Sequence, residues 1–375
     1  MSSLRGSRFE VEVGPVAHGG HFVARLDSSA GDLAGTVVFV RHTLPGERVV
    51  VALTEGEPGD RFLRGDAVEV LDASPDRVPV PCPYAGPGAC GGCDFQHVAV
   101  PAQRRLKAAV VSEQLRRIAG IDREVVVEPV PGDEQGLRYR TRMRFHRAAD
   151  GSPGLRAHRS RHVVPVADCR IQASEALVVV EGEGPPVRVV EERVGRETFA
   201  VDATGFWQVH RGAPATLVDA VMEGAGARRD DRVVDLYAGV GLFSVFLADA
   251  VGAAGRVTAV EGDRSAAAHA EVNLSGRPWA HVLAGRVDKV LLRTDLGRVD
   301  VVVLDPPREG ARRAVVERVA RLQPRTVVLV ACDPAAFARD AALFAEWGYR
   351  LGQVRAFDLF PMTSHLECVA HLVKG

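Results

Sequence analysis

The sequence is poor in lysine, in aromatic residues and in long apolar stretches. Three of its 47 basic residues are lysines, and aromatic residues make up 6% of the 375-residue chain. No apolar run reaches the ~18 residues that a membrane-spanning helix needs, so we expect no membrane association. The first residues lack the apolar segment of a secretory signal, and the expected compartment is the cytosol. The length predicts two or three domains, and we expect a monomer.

Cysteine is also scarce, with six residues in the whole chain. Thiols stay reduced in the cytosol, so these cysteines are better candidates for ligands or catalysts than for disulfides. The formal net charge of −1 predicts no polyanionic partner by itself. The charges are unevenly distributed along the chain, because residues 101–170 carry 15 basic and 8 acidic side chains. Eight arginines between 138 and 162 have the density of a phosphate-binding face, although a solvated arginine-rich surface gives the same pattern.

The pattern along the chain predicts three domains, with bounds 1–75, 76–205 and 206–375. The first contains five short strand-like segments separated by Gly, Pro and Asp turns, which predicts a small OB-like barrel. In the second, Pro101 opens an amphipathic helix that reaches about Gly120, with Leu106, Val110, Leu115 and Ile118 on one side. The rest of this domain is expected to be β and irregular structure.

The sequence of the third domain predicts an α/β fold with a parallel sheet. Its strands are almost entirely Val, Leu and Ala without alternation, as in strands buried on both faces. Four of them are predicted at Arg232–Leu236, Arg256–Glu261, Val299–Asp305 and Thr326–Ala331. The last two strands, Arg350–Asp358 and Leu366–Val373, are too close in sequence for a crossover helix. They are expected to form an antiparallel hairpin at the sheet edge.

A glycine turn after the first of these strands marks a cofactor site. Gly239 and Gly241 let the backbone pass close to a ligand, and Glu261 ends the next strand where a carboxylate can accept ribose hydroxyls. Asp235 favours the S-adenosylmethionine (SAM) version of this fold. A nicotinamide dehydrogenase would also fit the two glycines and Glu261, but Ser244 occupies the position of its third glycine.

Three further motifs follow strand ends, where open α/β sheets carry their active sites. Asp305-Pro306-Pro307-Arg308 resembles a motif that stacks a flipped base, with Arg308 in the place of the aromatic residue. Cys332, in Cys-Asp-Pro, is a candidate nucleophile, although a packed structural thiol is the simpler alternative. His365 and Glu367 share one face if the segment is a strand, and either is a candidate proton acceptor.

Four cysteines have the spacing of a metal or cluster site. Three of them lie close together and the fourth far downstream: Cys82, Cys90, Cys93 and Cys169. From spacing alone, tetrahedral zinc and a [4Fe–4S] cluster are equally compatible, and disulfide pairing remains the alternative.

Together these motifs resemble the RNA uracil-5-methyltransferase family over nearly the whole chain. The resemblance rests on the barrel, the cysteine set, Tyr139-Arg140-Thr141-Arg142-Met143-Arg144-Phe145, Phe206-x-Gln208, Asp-Leu-Tyr-x-Gly-x-Gly, Asp-Pro-Pro-Arg, Cys-Asp-Pro and His-x-Glu. It implies a TRAM-type barrel, a Rossmann-like SAM-dependent domain and a [4Fe–4S] cluster, with zinc as the alternative.

The resemblance also implies roles for particular residues. Cys332 would be the nucleophile and Glu367 the base, while SAM contacts would come from Gln208, Tyr237, Glu261 and Asp305. The expected partner is RNA, ribosomal in preference to transfer RNA, and the expected RNA-facing residues are Arg140, Arg142 and Arg144. A non-catalytic RNA-binding protein is the alternative, but it would need neither Cys332 nor Glu367. The cysteine motif departs from the family's usual Ser-Cys-Asn-Pro at Asp333.

Overall fold

The chain begins with a closed five-stranded barrel. The structure is a computed structural model that describes residues 3–185 and 187–375. The barrel strands are β1 Arg8–Ala17, β2 His21–Arg25, β3 Val37–Arg41, β4 Arg48–Glu55 and β5 Phe62–Asp72, in the order β1-β2-β3-β5-β4. Alternate residues of each strand fill the interior, including Phe22, Val38 and Val51. Closure leaves no free strand edge, and the predicted barrel is confirmed.

A long helix follows the barrel and leads into the third part of the molecule. Helix α1 spans Val100–Gln114 and ends in a π-helical turn, Leu115–Ala119, before the two-residue strand β6, Val127–Glu128. A helix was predicted here, but Ile118 was wrongly placed on its buried side and is 43% exposed. The π turn contains more residues per turn than an α-helix, and this shifts Ile118 away from the buried side.

The central segment forms a small mixed sheet and a separate hairpin. The sheet has the order β10-β7-β8-β9, and β11 and β12 form the hairpin. Their bounds are β7 Arg140–Arg147, β8 Pro153–Arg156, β9 Val163–Pro165, β10 Gln172–Val180, β11 Val189–Val194 and β12 Glu197–Asp202. One face of β7 packs Met143 and Phe145 into a small core with Tyr139, Cys169 and Met362. This core therefore joins the central segment to a loop near the end of the chain.

The last part is a doubly wound α/β domain. Its helices are α2 Ala213–Ala225, α3 Leu242–Val251, α4 Arg264–Asn273, α5 Val287–Arg293, α6 Arg312–Arg321 and α7 Pro334–Ala345. Its strands are β13 Arg232–Leu236, β14 Arg256–Glu261, β15 Ala280–Ala284, β16 Val301–Leu304, β17 Thr326–Ala331, β18 Tyr349–Phe357 and β19 Glu367–Lys374. Strands β13–β17 pair in parallel, as predicted from their apolar sequences.

The sheet order is β15-β14-β13-β16-β17-β19-β18-β6. The predicted antiparallel pairing of β18 with β19 is confirmed. The hairpin follows the parallel strands as predicted, with β19 next to β17, but it is not the outermost element of the sheet, because β6 pairs in parallel with β18 at Ala356 and Phe357. A strand of two residues leaves no detectable pattern in the sequence, so the true edge could not be predicted.

Candidate active site

The glycine turn lies where β13 ends and α3 begins, at the carboxyl edge of the sheet. Tyr237, Gly239 and Gly241 all have positive φ, at +63°, +56° and +88°. The Gly239 amide donates to Oε2 of Glu261 at 2.8 Å, and the Asp263 amide donates to Oε1 at 2.7 Å. These two bonds fix the Glu261 carboxylate beside the turn, because β14 is the direct neighbour of β13.

Three carboxyl groups gather at this edge, and the pKa values of two of them, Asp235 and Asp305, are raised. Burial raises the pKa of Asp235 to about 7, and the charges of Asp305 and Glu261 add to the effect. Burial and the charge of Glu261 likewise raise the pKa of Asp305 to about 7. Asp235 accepts a hydrogen bond from Ser244 Oγ at 2.6 Å, while its other oxygen is buried without a partner. SAM fits this edge, because its positive charges and ribose hydroxyls would compensate the crowded carboxyls.

Gln208 approaches the same domain from the segment between β12 and α2. Its side chain is buried, and the neighbouring Val209 carbonyl accepts both the amide and the hydroxyl of Thr141. Next to it, His210 stacks on Tyr139 with ring centroids 5.1 Å apart. The chain carrying Gln208 is thus anchored to β7 on one side and enters α2 on the other.

Cys332 and Glu367 face each other across two neighbouring strands. Strands β17 and β19 are antiparallel, with Ala331 opposite Cys368. Cys332 follows Ala331 and Glu367 precedes Cys368, so these two residues lie at neighbouring positions at the same end of the strands. Cys332 is half-buried at the mouth of a pocket, whereas Glu367 is 5% exposed. The structure therefore brings the predicted nucleophile and the predicted base together.

Burial dominates the electrostatics of this pair. Burial, followed by the charge of Glu367, raises the pKa of the Cys332 thiol to about 12. Burial and the charge of Asp305 raise the pKa of Glu367 well above its usual range. The Arg308 guanidinium opposes both shifts. Arg308 is thus the cation that favours the charged form of each group, a function that its motif did not reveal.

His365, the second candidate base, lies in the loop before β19 and not on the strand. Its side chain is exposed at the pocket, with Nε2 3.5 Å from Nη2 of Arg308. Desolvation lowers the pKa of His365, and the charges of Arg308, Lys107 and Arg140 lower it further. The expectation that His365 and Glu367 share a strand face is therefore wrong.

Several residues that sequence reasoning missed hold the loop that leads to Glu367. The buried Lys107 ammonium donates to Asp358 Oδ1 at 2.6 Å and to the Phe360 carbonyl at 3.0 Å. Gln103 Oε1 accepts from the Met362 amide at 2.8 Å, and the Tyr139 hydroxyl donates to the Pro361 carbonyl. A lysine inside the amphipathic helix in a lysine-poor chain was the one available signal.

The four predicted cluster cysteines line a single small cavity. All are free thiols. The Gly92 amide donates to Cys90 Sγ at 3.4 Å, and Gln96 Nε2 donates to Cys93 Sγ at 3.3 Å. Within residues 3–185 and 187–375, no three His, Cys, Asp or Glu side chains are grouped closely enough for a single metal ion. The structure thus brings the four predicted cluster cysteines together around one cavity.

The three predicted RNA-facing arginines lie on one face of β7 but in different environments. Arg144 is exposed and makes no hydrogen bond or ion pair with the residues that the structure describes. Arg142 is largely buried, and its guanidinium bonds the carbonyls of Asp202 and Gly205 and the Glu192 carboxylate. Arg140 is half-buried and donates to the Arg142 carbonyl at 3.1 Å. Arg144 is thus the most exposed of the three to an external phosphate, while Arg142 attaches the β11–β12 hairpin.

No helix among the described residues has the length and apolar character to cross a membrane. Two family models match the sequence: the TRAM domain at residues 2–68 and tRNA (uracil-5-)-methyltransferase at residues 285–375.

Relatives match over almost the full length. An uncharacterized RNA methyltransferase of Streptomyces coelicolor is 45% identical, covering 99% of this chain and 93% of the relative. The 23S rRNA (uracil(1939)-C(5))-methyltransferase RlmD of Chromohalobacter salexigens is 31% identical, covering 96% and 88%. Among solved structures, Pyrococcus abyssi tRNA (uracil-54, C5)-methyltransferase in complex with S-adenosyl-L-homocysteine has the same fold, with a TM-score of 0.70, 20% identity and coverage of 96% and 100%. The chain thus belongs to the SAM-dependent RNA uracil-5-methyltransferase family.

Proposed function

We propose that this protein transfers a methyl group from SAM to C5 of a uridine in RNA through a covalent intermediate. The observation that carries the proposal is the placement of Cys332 opposite Glu367, at the strand ends beside the carboxyl-rich cofactor edge. A thiol and a carboxyl at this position supply a nucleophile and a proton acceptor on the same pocket wall.

The chemistry requires both groups because uracil C5 is a poor nucleophile. The Cys332 thiolate adds to C6, which turns C5 into an enolate carbon that attacks the methyl group of SAM and releases S-adenosylhomocysteine. Glu367 then removes the C5 proton, the C5–C6 double bond re-forms, and the bond from Cys332 to C6 breaks. Burial suits Glu367 to this step, since its raised pKa makes it a stronger base. Arg308 would favour the thiolate when the base enters.

The methyl donor would bind at the edge formed by the glycine turn. Glu261 would accept from the ribose, and the Gly239 and Gly241 backbone leaves room for close approach. Asp305 directly follows β16, which lies between β13 and β17 in the sheet, and its charge raises the pKa of Glu367. We assign Gln208 and Tyr237 to the same ligand.

The four-cysteine cavity would hold a [4Fe–4S] cluster. The shared cavity and the two N–H···S hydrogen bonds support a cluster, with a single zinc ion as the alternative. Bound iron would allow these buried thiols to lose their protons.

The RNA substrate is best tested among ribosomal and transfer RNAs, because the names of the relatives include both. We favour ribosomal RNA, as modified by the Chromohalobacter relative. We further propose three domains with bounds 1–75, 76–205 and 206–375, acting as a monomer.

Incubating the purified protein with methyl-labelled SAM and RNA from a strain deleted for its gene tests the function. We expect label in 5-methyluridine, in ribosomal RNA and not in transfer RNA, as measured by nucleoside mass spectrometry. Label confined to transfer RNA would reverse the substrate preference. RNA binding without any methylated product would favour the non-catalytic alternative.

Arg144 should contribute to RNA affinity without contributing to stability. Arg144→Ala is expected to weaken RNA binding and to reduce the slope of log affinity against log salt by about 0.7–0.9, the value for one lost phosphate contact. Arg142→Ala serves as the matched control, since its guanidinium is used inside the protein. It should lower the melting temperature, and an unchanged salt slope for Arg144→Ala would show that this arginine is only solvated.

A further inference from the structure

One turn of the barrel lies against both loops that carry the catalytic pair. This barrel turn, His18–Gly20, connects β1 to β2. It lines a pocket of about 670 Å³ together with Cys332, Arg308 and His365. The barrel is therefore part of the wall around the candidate nucleophile.

The first contact is made by His18. Its Nε2 lies 2.9 Å from Oδ2 of Asp333, the residue that follows Cys332. The other oxygen of Asp333 accepts from the Ala336 amide at 2.8 Å and so caps helix α7. A carboxylate only accepts hydrogen bonds, so the imidazole donates. Both oxygens of Asp333 are engaged, and the residue directly after Cys332 is fixed from two directions.

The second contact is made by Gly20 against the loop before Glu367. A Cβ at Gly20 would lie 2.7 Å from Cβ of Ser364, closer than side chains pack, and the φ of Gly20 is +78°. The Ser364 amide and hydroxyl both donate to Asp94 Oδ2 at 3.0 Å. The loop is thus held between Asp94 and the barrel turn, three residues before Glu367.

From these two contacts we propose that the barrel turn is a built-in part of the active site, with His18 acting as a positioning residue for Cys332 through Asp333. The inference rests on the proposed function and adds a role for the barrel. RNA that binds the barrel would thereby be placed beside a nucleophile whose loop the same barrel holds. His18 does not need to touch the reacting atoms for this role.

His18→Ala tests the first contact. At saturating 5-fluorouridine RNA, the rate of Cys332 adduct formation should fall about ten- to a hundredfold, as expected for a misplaced reacting group. The RNA dissociation constant should change less than about twofold. His18→Gln should restore much of the rate, because its amide can still donate to Asp333. The double variant His18→Ala/Asp333→Asn should form the adduct no more slowly than His18→Ala alone, since both substitutions remove the same contact.

A pair of glycine variants tests the second contact. Gly19 and Gly20 both have positive φ, so alanine pays a similar backbone cost at each, but a Cβ at Gly19 meets nothing closer than His21 Nδ1 at 3.7 Å. Gly20→Ala should therefore slow adduct formation at least about tenfold more than Gly19→Ala. Equal effects of the two variants would overturn the docking of this turn.

A measurement without RNA keeps the inference separate from the proposed reaction. In His18→Ala, the backbone amides of residues 332, 333 and 335–337 should exchange with deuterium faster than in the wild type, whether or not any adduct forms. A wild type that forms no adduct would reject the proposed function, and this exchange would still decide the positioning role. Unchanged exchange would overturn the positioning role. An RNA affinity that falls while the rate at saturating RNA stays the same would also overturn it and would make His18 an RNA contact.

Discussion

Cys332→Ala should abolish both methylation and the covalent adduct, whereas Glu367→Gln should trap a methylated protein–RNA adduct that persists on a denaturing gel. Addition to C6 comes first, so loss of the thiol stops every later step, with an expected rate loss of at least about 10⁴-fold. Glutamine cannot accept the C5 proton, and elimination of Cys332 requires that proton to leave. The measurement is a shifted protein band whose RNA carries methyl label from SAM.

Two controls sharpen this pair. The wild type with 5-fluorouridine RNA should form the same stable adduct, since no proton is available at C5. His365→Ala should turn over slowly without trapping the adduct, because the wild-type imidazole lies against Arg308 and is not the proposed proton acceptor. If His365→Ala traps the adduct while Glu367→Gln releases it, the base is His365. If Glu367→Gln turns over normally, the carboxyl has only a structural role.

Replacing a cysteine of the four-cysteine cavity should remove the colour of the protein and lower its stability. The protein purified without oxygen should be brown with about four iron atoms per chain, the content of one [4Fe–4S] cluster. Cys93→Ser should be colourless and less stable. The residues directly after it, Asp94 and Phe95, both donate backbone amides to the Met362 carbonyl at 2.9 Å. Iron analysis, the visible spectrum and a melting curve measure these effects.

Cys368→Ser is the matched control for the cluster. Cys368 is buried on β19 and does not line the cavity, so its variant should remain brown. A colourless wild type with one zinc ion per chain would overturn the cluster and leave the alternative metal. A colourless protein free of any metal would make the four thiols merely structural.

The sequence predicted the parts of the fold that have strong local patterns. The bounds of β13, β14 and β17 agree with the structure residue for residue, because apolar strands between turns mark their own ends. Cys332 and Glu367 were paired by the resemblance to the RNA uracil-5-methyltransferase family, and each lies at the terminus of a strand. The pairing that joins them depends on β19, the inner strand of the predicted hairpin, which lies beside β17.

What the sequence could not predict depends on contacts between distant segments. Arg142 and Arg144 lie on the same face of β7. Arg142 bonds Glu192 and the carbonyls of Asp202 and Gly205, whereas Arg144 faces solvent. The pairing of His18 with Asp333 joins residues 315 positions apart. Residue type and spacing carry no information about such partners, because the partners are chosen by packing.

The buried pair of Lys107 and Asp358 has a consequence for how the chain can be divided. The lysine comes from α1 and the aspartate follows β18, so the ion pair crosses from the central segment into the methyltransferase sheet. A fragment that begins after the central segment would keep Asp358 without the cation that pairs with it. The same fragment would lose β6 and expose the open edge of β18 to other chains. Recombination or truncation between these segments would therefore yield an aggregation-prone sheet and not a portable catalytic module.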